Sequence, residues 1–432
     1  MLADVIVVGG GPAGLMAAYA AAKSGQAVTL LEKNARPARK LLLTGKGRCN
    51  VTNNCGLPEL LASITKNARF CHSALSAFTP QDLMALFEQN GLSLKTERGN
   101  RVFPQSDRAV DVADTLVKMV RTAGVNIVPA EVKRVVFKCG IRDSELGIAD
   151  NGAEGAESGM GQNSVAGVEG ADGLVWSAPK VVIATGGLSY PKTGSTGDGY
   201  RMAAELGHTV TPLIPSLSAV EAHEGWCAKL QGLSLKNINL RVWEKESENV
   251  VYSNFGELIF THFGLSGPLI LSASAHMRHF ERTSYVLSID LKPALSEKEL
   301  DARLLRDFTA AQNRDFINGF SRLLPKTLIP VFVRRSKIEP AQKLNSLTKE
   351  QRRTVVELMK NFTLTATAPG PIDEAVVTSG GIEPREINPR TMESKLVTGL
   401  FFAGEVIDID AYTGGFNLQL AFSTGYAAGI NN

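Results

Sequence analysis

DVIVVGGGPAGLMAAYAAAKSGQAVTLLEK, Asp4 to Lys33, places two short apolar runs on either side of an alanine-rich segment. The runs Asp4 to Val8 and Ala27 to Leu31 read as strands, and the segment from about Pro12 to Ser24 reads as a helix ended by Gly25. Together they make one βαβ unit of a parallel sheet. Gly9, Gly11 and Gly14 fall at the strand-to-helix junction with GxGxxG spacing, and Glu32 closes the second strand. Gly9 permits the tight turn, Gly11 lets backbone approach a pyrophosphate, and Gly14 lets helix pack on strand. Pro12 and Ala13 open a helix whose free N–H groups favour the same anion. Glu32 is then placed to accept from adenosine ribose hydroxyls.

The far end of the chain indicates FAD rather than NAD. LFFAGE, Leu400 to Glu405, is an apolar strand ending on Gly404 and a carboxylate, and GGFNLQLA, Gly414 to Ala421, opens a closing helix, Asn417 to Ala428. Glu405 can reach a ribityl hydroxyl. Gly415 and the N–H groups of Asn417 and Leu418 can serve the pyrimidine edge of a flavin, where negative charge develops on reduction. ATGG, with Thr185, Gly186 and Gly187 after the strand Lys180 to Ala184, and Val132, which opens the strand Val132 to Lys138, complete the expected cofactor-binding set.

Six basic residues, Lys33, Arg36, Arg39, Lys40, Lys46 and Arg48, follow Glu32. Lys33 joins the cofactor set, and Arg39 or Lys40 is expected on the diphosphate as counter-charge. In TGKGRCN, Thr44, Gly45 and Gly47 let backbone lie against a flat ring, so that Lys46, Arg48, Cys49 and Asn50 face the substrate space. Cys49 is the leading candidate proton donor, since a free thiol with a pKa of about 8.5 stays mostly protonated near neutrality, although Arg48 beside it would lower that value. A small buried hydrophobe is the competing reading of Cys49. Arg48 or Lys46 can instead polarise a carbonyl conjugated to the reacting bond. His262, Tyr412 and Thr413 are weaker candidates: His262 reads rather as a loop-fixing hydrogen bonder, Tyr412 and Thr413 can line the pocket, and Thr413 suits a capping or turn role better. GSTGDG, Gly194 to Gly199, lacks the P-loop lysine and reads as a hinge.

Composition bounds the rest. The 432 residues carry 46 Lys and Arg against 43 Asp and Glu, too balanced to imply a polyanion partner. Five dispersed cysteines without CxxC spacing argue against a disulfide framework, a zinc site or a dithiol relay, and so for a reducing cytoplasm. No segment approaches a membrane span, so no membrane partner is expected. Oligomeric state is not written in the sequence. Residues 141–170, rich in Gly and acids, read as a mobile insertion. The expected architecture is α/β: a discontinuous Rossmann-like FAD domain, 1–191 and 372–432. Residues 192–371 form a barrel-like insert, with a helical subdomain at about 296–359 broken at Pro325, Pro330 and Pro340.

GGGPAG, TGKGRCNVTN, ATGGLSYPKTGSTGDGY, THFGLSGP, VTSGGI, INPRTMESK and GEVIDIDAYTGGFNLQLA, in that order over nearly the whole chain, resemble the BaiN/YhiN-type family of NAD(P)/FAD-dependent oxidoreductases. The resemblance implies a two-dinucleotide-binding-type FAD domain with an inserted barrel and a small helical domain. It also implies reduction of an activated C=C bond, in a conjugated steroid-type small molecule or in a uridine of ribosomal RNA. No second GxGxxG follows a strand, so NADPH or NADH would act as a transient donor over the flavin. Outside the insertion, 45 basic face 37 acidic residues, and Arg334, Arg335, Lys337, Arg352 and Arg353 offer a phosphate-contacting face, which inclines the reading toward RNA. A solvated helix surface is the plain alternative for that cluster. The competing function is a non-catalytic FAD-binding redox sensor or ribosome-associated factor.

Overall fold

A computed structural model describes residues 3–138 and 164–432. Contacts divide them into two units, residues 1–214 with 376–432, and residues 215–375. The expected boundaries lay at 191/192 and 371/372. The helix Asp198–Glu205 instead packs within the first unit, because Gly199 sits where a Cβ would come within 2.2 Å of Thr185 Oγ1 and 2.8 Å of Val406. GSTGDG is therefore pinned rather than hinged. Lys33 Nζ donates to Asp198 Oδ2 at 2.6 Å, and Asn34 Nδ2 to the Thr193 carbonyl at 3.0 Å.

The first unit is built on a parallel sheet of β1 (Val5–Val8), β2 (Val28–Glu32), β3 (Asn126–Pro129), β4 (Lys180–Ile183) and β5 (Leu400–Phe402), in the order β5-β4-β1-β2-β3. Strands β1, β2 and β5 are buried at every position, which is why they read as largely apolar runs rather than alternating ones. Helix α1 (Pro12–Lys23) crosses from β1 to β2, and α2 (Phe416–Asn431) closes the chain. The two helices lie very close. A Cβ on Gly425 would stand 2.3 Å from the Ala13 carbonyl oxygen, and one on Gly429 would stand 2.4 Å from that of Ala17. Residues 13 and 17 meet 425 and 429 in the same order, so the helices run parallel. Both N-termini therefore point to the carboxyl edge of the sheet.

Strand Val132–Lys138 pairs with Ser164–Gly170, which pairs with Val175–Ser177. Residues 164–170, expected to belong to a mobile insertion, are thus ordered strand: Val165 and Val168, on either side of a shift in pairing register, both enter the core, and Gly167 gives the room that the Trp176 carbonyl needs. The rest of that expected insertion lies outside the described residues.

In the second unit, Val220–Ala222, Gly264–Ser266, Val250–Phe260, Ser234–Glu244, Tyr285–Asp290 and Phe362–Pro369 close a six-stranded barrel in that spatial order. Period-2 burial of Ile238, Leu240 and Val242, and of Tyr285, Leu287 and Ile289, fills its interior. Helices Glu297–Ala310, Ile329–Ser336 and Lys349–Lys360 form the helical part, two of them started by capping boxes at Ser296 with Glu299 and Thr348 with Gln351. Pro330 does not break a helix as expected but opens one, where its missing N–H costs nothing. No helix among the described residues is long and apolar enough to cross a membrane.

Two outcomes test this packing. Gly425→Ala is expected to cost about 1–3 kcal/mol by forcing α1 and α2 apart, read as a lowered urea midpoint. The second concerns His208, enclosed with Nδ1 3.0 Å from Glu386 Oε2 and Nε2 2.9 Å from Ser394 Oγ. Burial holds its pKa below the usual value, outweighing the Glu386 carboxylate. The unfolded chain then binds a proton that the folded chain refuses, so this contribution is whole above about pH 6.5 and falls away as pH drops toward the folded value. His208→Gln should flatten the pH dependence of the unfolding midpoint in that window.

Candidate FAD site at the carboxyl edge of the sheet

Four strand ends converge on one edge: the β1 turn at Gly9, Glu32 of β2, ATGG after β4, and Gly404 with Glu405 after β5. Gly14 is obligatory here, since its Cβ would fall 1.9 Å from the Gly9 carbonyl oxygen, while a Cβ on Gly11 would meet nothing within 4 Å. The turn is tight on the protein side and open on the other. Pro12 and Ala13 form the first turn of α1, and Ala13 also carries the close approaches of Gly404 and Gly425. Neither α1 nor α2 has a side-chain cap, their N-cap residues being Gly11 and Gly415. Their first-turn N–H groups and positive helix ends are thus left for a ligand, each worth about 0.3–1 kcal/mol toward an anion. By the pairing of 13 with 425, Pro12 lies level with Thr424, so α2 begins eight residues, about 12 Å, beyond the start of α1.

The acids at the edge are held. Glu32 accepts from Gly10 N at 2.6 Å and from Asn34 N and Nδ2 at 2.8 and 2.6 Å. Glu405 accepts from Thr378 N at 2.9 Å, Ser189 Oγ at 3.1 Å and Lys40 Nζ at 2.7 Å. Gly187 makes room for this cluster: its Cβ would stand 2.5 Å from Thr378 Oγ1 and 2.7 Å from Glu405 Oε1. Lys40, expected on a diphosphate, is therefore bonded to Glu405 and Ser189. Arg39 is exposed and donates to Asn34 Oδ1 at 2.9 Å. Lys33 is taken by Asp198, and Val132 lies in the core. The Asn417 side chain pins the loop before α2 by accepting from Ala411 N and donating to the Ala411 carbonyl, leaving Leu418 part-buried beside it.

TGKGRCN forms an irregular turn in which Gly45, Lys46, Gly47 and Cys49 all take left-handed φ, from +58° to +83°. Thr44 is extended before it and donates its hydroxyl to the Leu41 carbonyl. The three catalytic candidates part company here. Cys49, expected to face the substrate space, is fully enclosed in the core, and desolvation pushes its thiol up to about 12; Arg48 does not lower it. Arg48 lies 4.1 Å over the Phe103 ring and is committed to Glu97 and Asp107, donating Nε to Asp107 at 2.8 Å. Lys46 is exposed and carries the one cation of the turn that is not ion-paired among the described residues. The enclosed Asn50 Oδ1 and Thr185 Oγ1 have no hydrogen-bond partner there. His262, in the second unit, is exposed and packs edge-on to Phe263.

Sequence reasoning missed Ser189, Thr378 and Asn34. The first two lie in quoted motifs, SYPK and VTSGGI, but which acid they hold is a tertiary fact. The open turn at Gly11, two uncapped parallel helices and the pair of oriented acids fit FAD. Glu32 and the α1 N-terminus would hold its adenosine and diphosphate, and Glu405 and the α2 N-terminus its ribityl chain and flavin. Among the described residues no His, Cys, Asp and Glu cluster has metal-site geometry.

One prediction follows from the enclosed thiol. Iodoacetamide at pH 8 should modify Cys49 only in denaturant, read by peptide mass; labelling in the folded chain would refute the enclosure.

Comparison with known proteins agrees with this geometry. The HI0933-like protein Rossmann domain family matches residues 3–431. The chain is 30% identical to the ribosomal RNA dihydrouridine synthase of Escherichia coli over 424 residues, covering 98% of this chain and 96% of that one. It is 29% identical to the 3-dehydro-bile acid delta(4,6)-reductase of Clostridium scindens over 430 residues, covering 98% and 97%. In fold it is similar to 3-ketosteroid delta1-dehydrogenase from Sterolibacterium denitrificans, with a TM-score of 0.51 at 12% identity over 99% of this chain and 98% of that one. The chain belongs to the HI0933-like family and is a flavoprotein oxidoreductase with a Rossmann nucleotide-binding fold.

Proposed function

We propose that this chain uses FAD, reduced by NADPH or NADH, to saturate a C=C bond conjugated to a carbonyl. The observation that carries the reading is the pair of parallel helices whose uncapped N-termini face one sheet edge, offset by about 12 Å along the helix direction. That spacing suits an extended dinucleotide with its diphosphate on α1 and its flavin on α2. The choice of reaction is supported by the two relatives, whose named reactions share it: a uridine ring and a 3-dehydro-Δ4,6 bile acid both present an alkene next to a carbonyl.

When bound, FAD supplies a hydride to one alkene carbon. The residues of this chain do the rest. Lys46, exposed on its left-handed turn, is the cation available to take up negative charge on the acceptor carbonyl as the bond is reduced. Arg48 keeps the turn in place through Glu97 and Asp107 instead of meeting substrate. The proton for the second carbon comes from a source other than Cys49, whose thiol has no exposure. Glu405, fixed by Lys40, Ser189 and Thr378, presents its remaining lone pairs to the ribityl side.

The acceptor can be a uridine in ribosomal RNA or a small conjugated enone. Of the basic face expected to favour RNA, Arg334, Lys337 and Arg353 are exposed, Arg353 beside Glu357, whereas Arg335 is part-buried over the Phe362 and Trp226 rings and Arg352 pairs with Asp301. What favours RNA is the broader charge of residues 296–360, with 14 Lys and Arg against 8 Asp and Glu.

Anaerobic mixing with NADPH, then NADH, tests the reading through loss of flavin absorbance near 450 nm, an approximate wavelength for bound flavin. The bleached protein should be reoxidised by a uridine-containing ribosomal RNA fragment or by a conjugated enone, and whichever acts names the substrate class. Lys46→Met should slow that reoxidation about 10²-fold, the scale of losing one charge stabiliser, with bleaching unchanged. No bleaching with either nucleotide would move the non-catalytic flavoprotein to the front.

A further inference from the structure

Asn50 is left without a role by the site as described. Its Oδ1 is enclosed yet accepts no hydrogen bond among the described residues. It stands at the junction of the two pieces that would flank a flavin. On one side, a Cβ on Gly45 would come within 2.9 Å of the Asn50 amide nitrogen. On the other, two residues along, a Cβ on Gly415 would come 2.3 Å from the Thr52 carbonyl carbon, and Asn53 Nδ2 donates to the Gly414 carbonyl at 3.0 Å. The turn that delivers Asn50 is strained, with Lys46 and Cys49 both left-handed at φ +59° and +60°. Thr185 Oγ1, which faces Gly199, is the other unpartnered atom at this edge. Asn50 differs in standing where the TGKGRCN turn meets the start of α2, and a buried acceptor is costly to leave unmade.

We infer that Asn50 is a cofactor-contact residue, its side-chain oxygen accepting from a ring N–H or ribityl hydroxyl of FAD. The left-handed turn and the buried acceptor are then parts of a cradle shaped for the cofactor. This rests on the reading that the carboxyl edge holds FAD.

The test is flavin release from the full-length holoprotein on serial dilution, read by recovery of free-flavin fluorescence, for wild type, Asn50→Leu and Asn50→Ala. Urea unfolding midpoints without added FAD, and KM for the acceptor, are measured beside it. Both variants should raise the FAD Kd about tenfold. Asn50→Leu should also leave the urea midpoint unchanged or higher, because an apolar side chain of similar size removes the unpaired acceptor. That opposition of affinity and stability is what a merely structural asparagine would not produce. Wild-type affinity in both variants overturns the inference, as does a midpoint that falls in both in step with affinity. A changed acceptor KM with unchanged flavin release moves Asn50 to the substrate and overturns it as well. A wild-type chain that binds no FAD fails the underlying reading, whereas variants that bind as wild type does fail only this inference.

Discussion

The contact between α1 and α2 constrains the rest of the first unit. Two helices of ordinary residues pack 8–10 Å apart; here glycines at 425 and 429 bring the second helix backbone onto the carbonyls of Ala13 and Ala17. Close approach leaves no room for large side chains between them, which is why α1 buries Ala13, Ala17, Ala20 and Ala21. It also sets direction. Because the helices run parallel, the last element of the chain presents its positive end at the same edge as the first, and Gly404 tucks against Ala13 to bring β5 in beside them. The site is made from both ends of the sequence because this one contact joins them.

Polar groups at the edge are organised by the same economy. Glu405 and Asp408 are anchored by segments far apart in sequence: Lys40, Ser189 and Thr378 on the first, and Lys66, Thr211 Oγ1 and Gly380 N on the second. Asp408 is almost fully buried, so its pairing is required rather than decorative, since a lone buried carboxylate would be several kcal/mol too costly. Each network ties the segment Val377–Ser379 and its neighbours to the loop after β5. Motifs that read as separate in the sequence, VTSGGI and GEVIDID, are two faces of one set of hydrogen bonds.

How far the sequence could be read follows from the range of the forces involved. The βαβ unit and the GxGxxG turn are legible because each is decided by neighbours within a turn or a pleat. Arg48 was misleading for the opposite reason. Its partners Glu97 and Asp107 arrive from 49 and 59 residues away, and only the fold reveals that its charge is spent. Cys49 beside it could be polar or apolar in character, and the direction of the chain through a strained turn sent it inward. The strand Ser164–Gly170 was hidden by composition, since four small or glycine positions and a shift in register left no clean β-period, and only the pairing with Val132–Lys138 shows it. Pro330 was misread because a proline signals either a break or a start, depending on where the preceding turn ends.

A division of labour follows for the site. The cradle is made chiefly of backbone N–H groups, glycine clearances and buried acids whose orientation is fixed by other buried groups. Those features are insensitive to what the enzyme reduces, because none projects a free side chain toward an acceptor. Of the five polar side chains on the TGKGRCN turn, Thr44 donates to the Leu41 carbonyl, the Cys49 thiol and the Asn50 oxygen are enclosed, Arg48 is ion-paired, and Lys46 is exposed and not ion-paired among the described residues. Lys46 sits at φ +59°, where a side chain is held at a cost, between two glycines that let the backbone bend around it. On the proposed reading the turn sets the Lys46 charge and the Asn50 amide on one strained backbone, with Arg48 tied to Glu97 and Asp107 and Cys49 enclosed in the core.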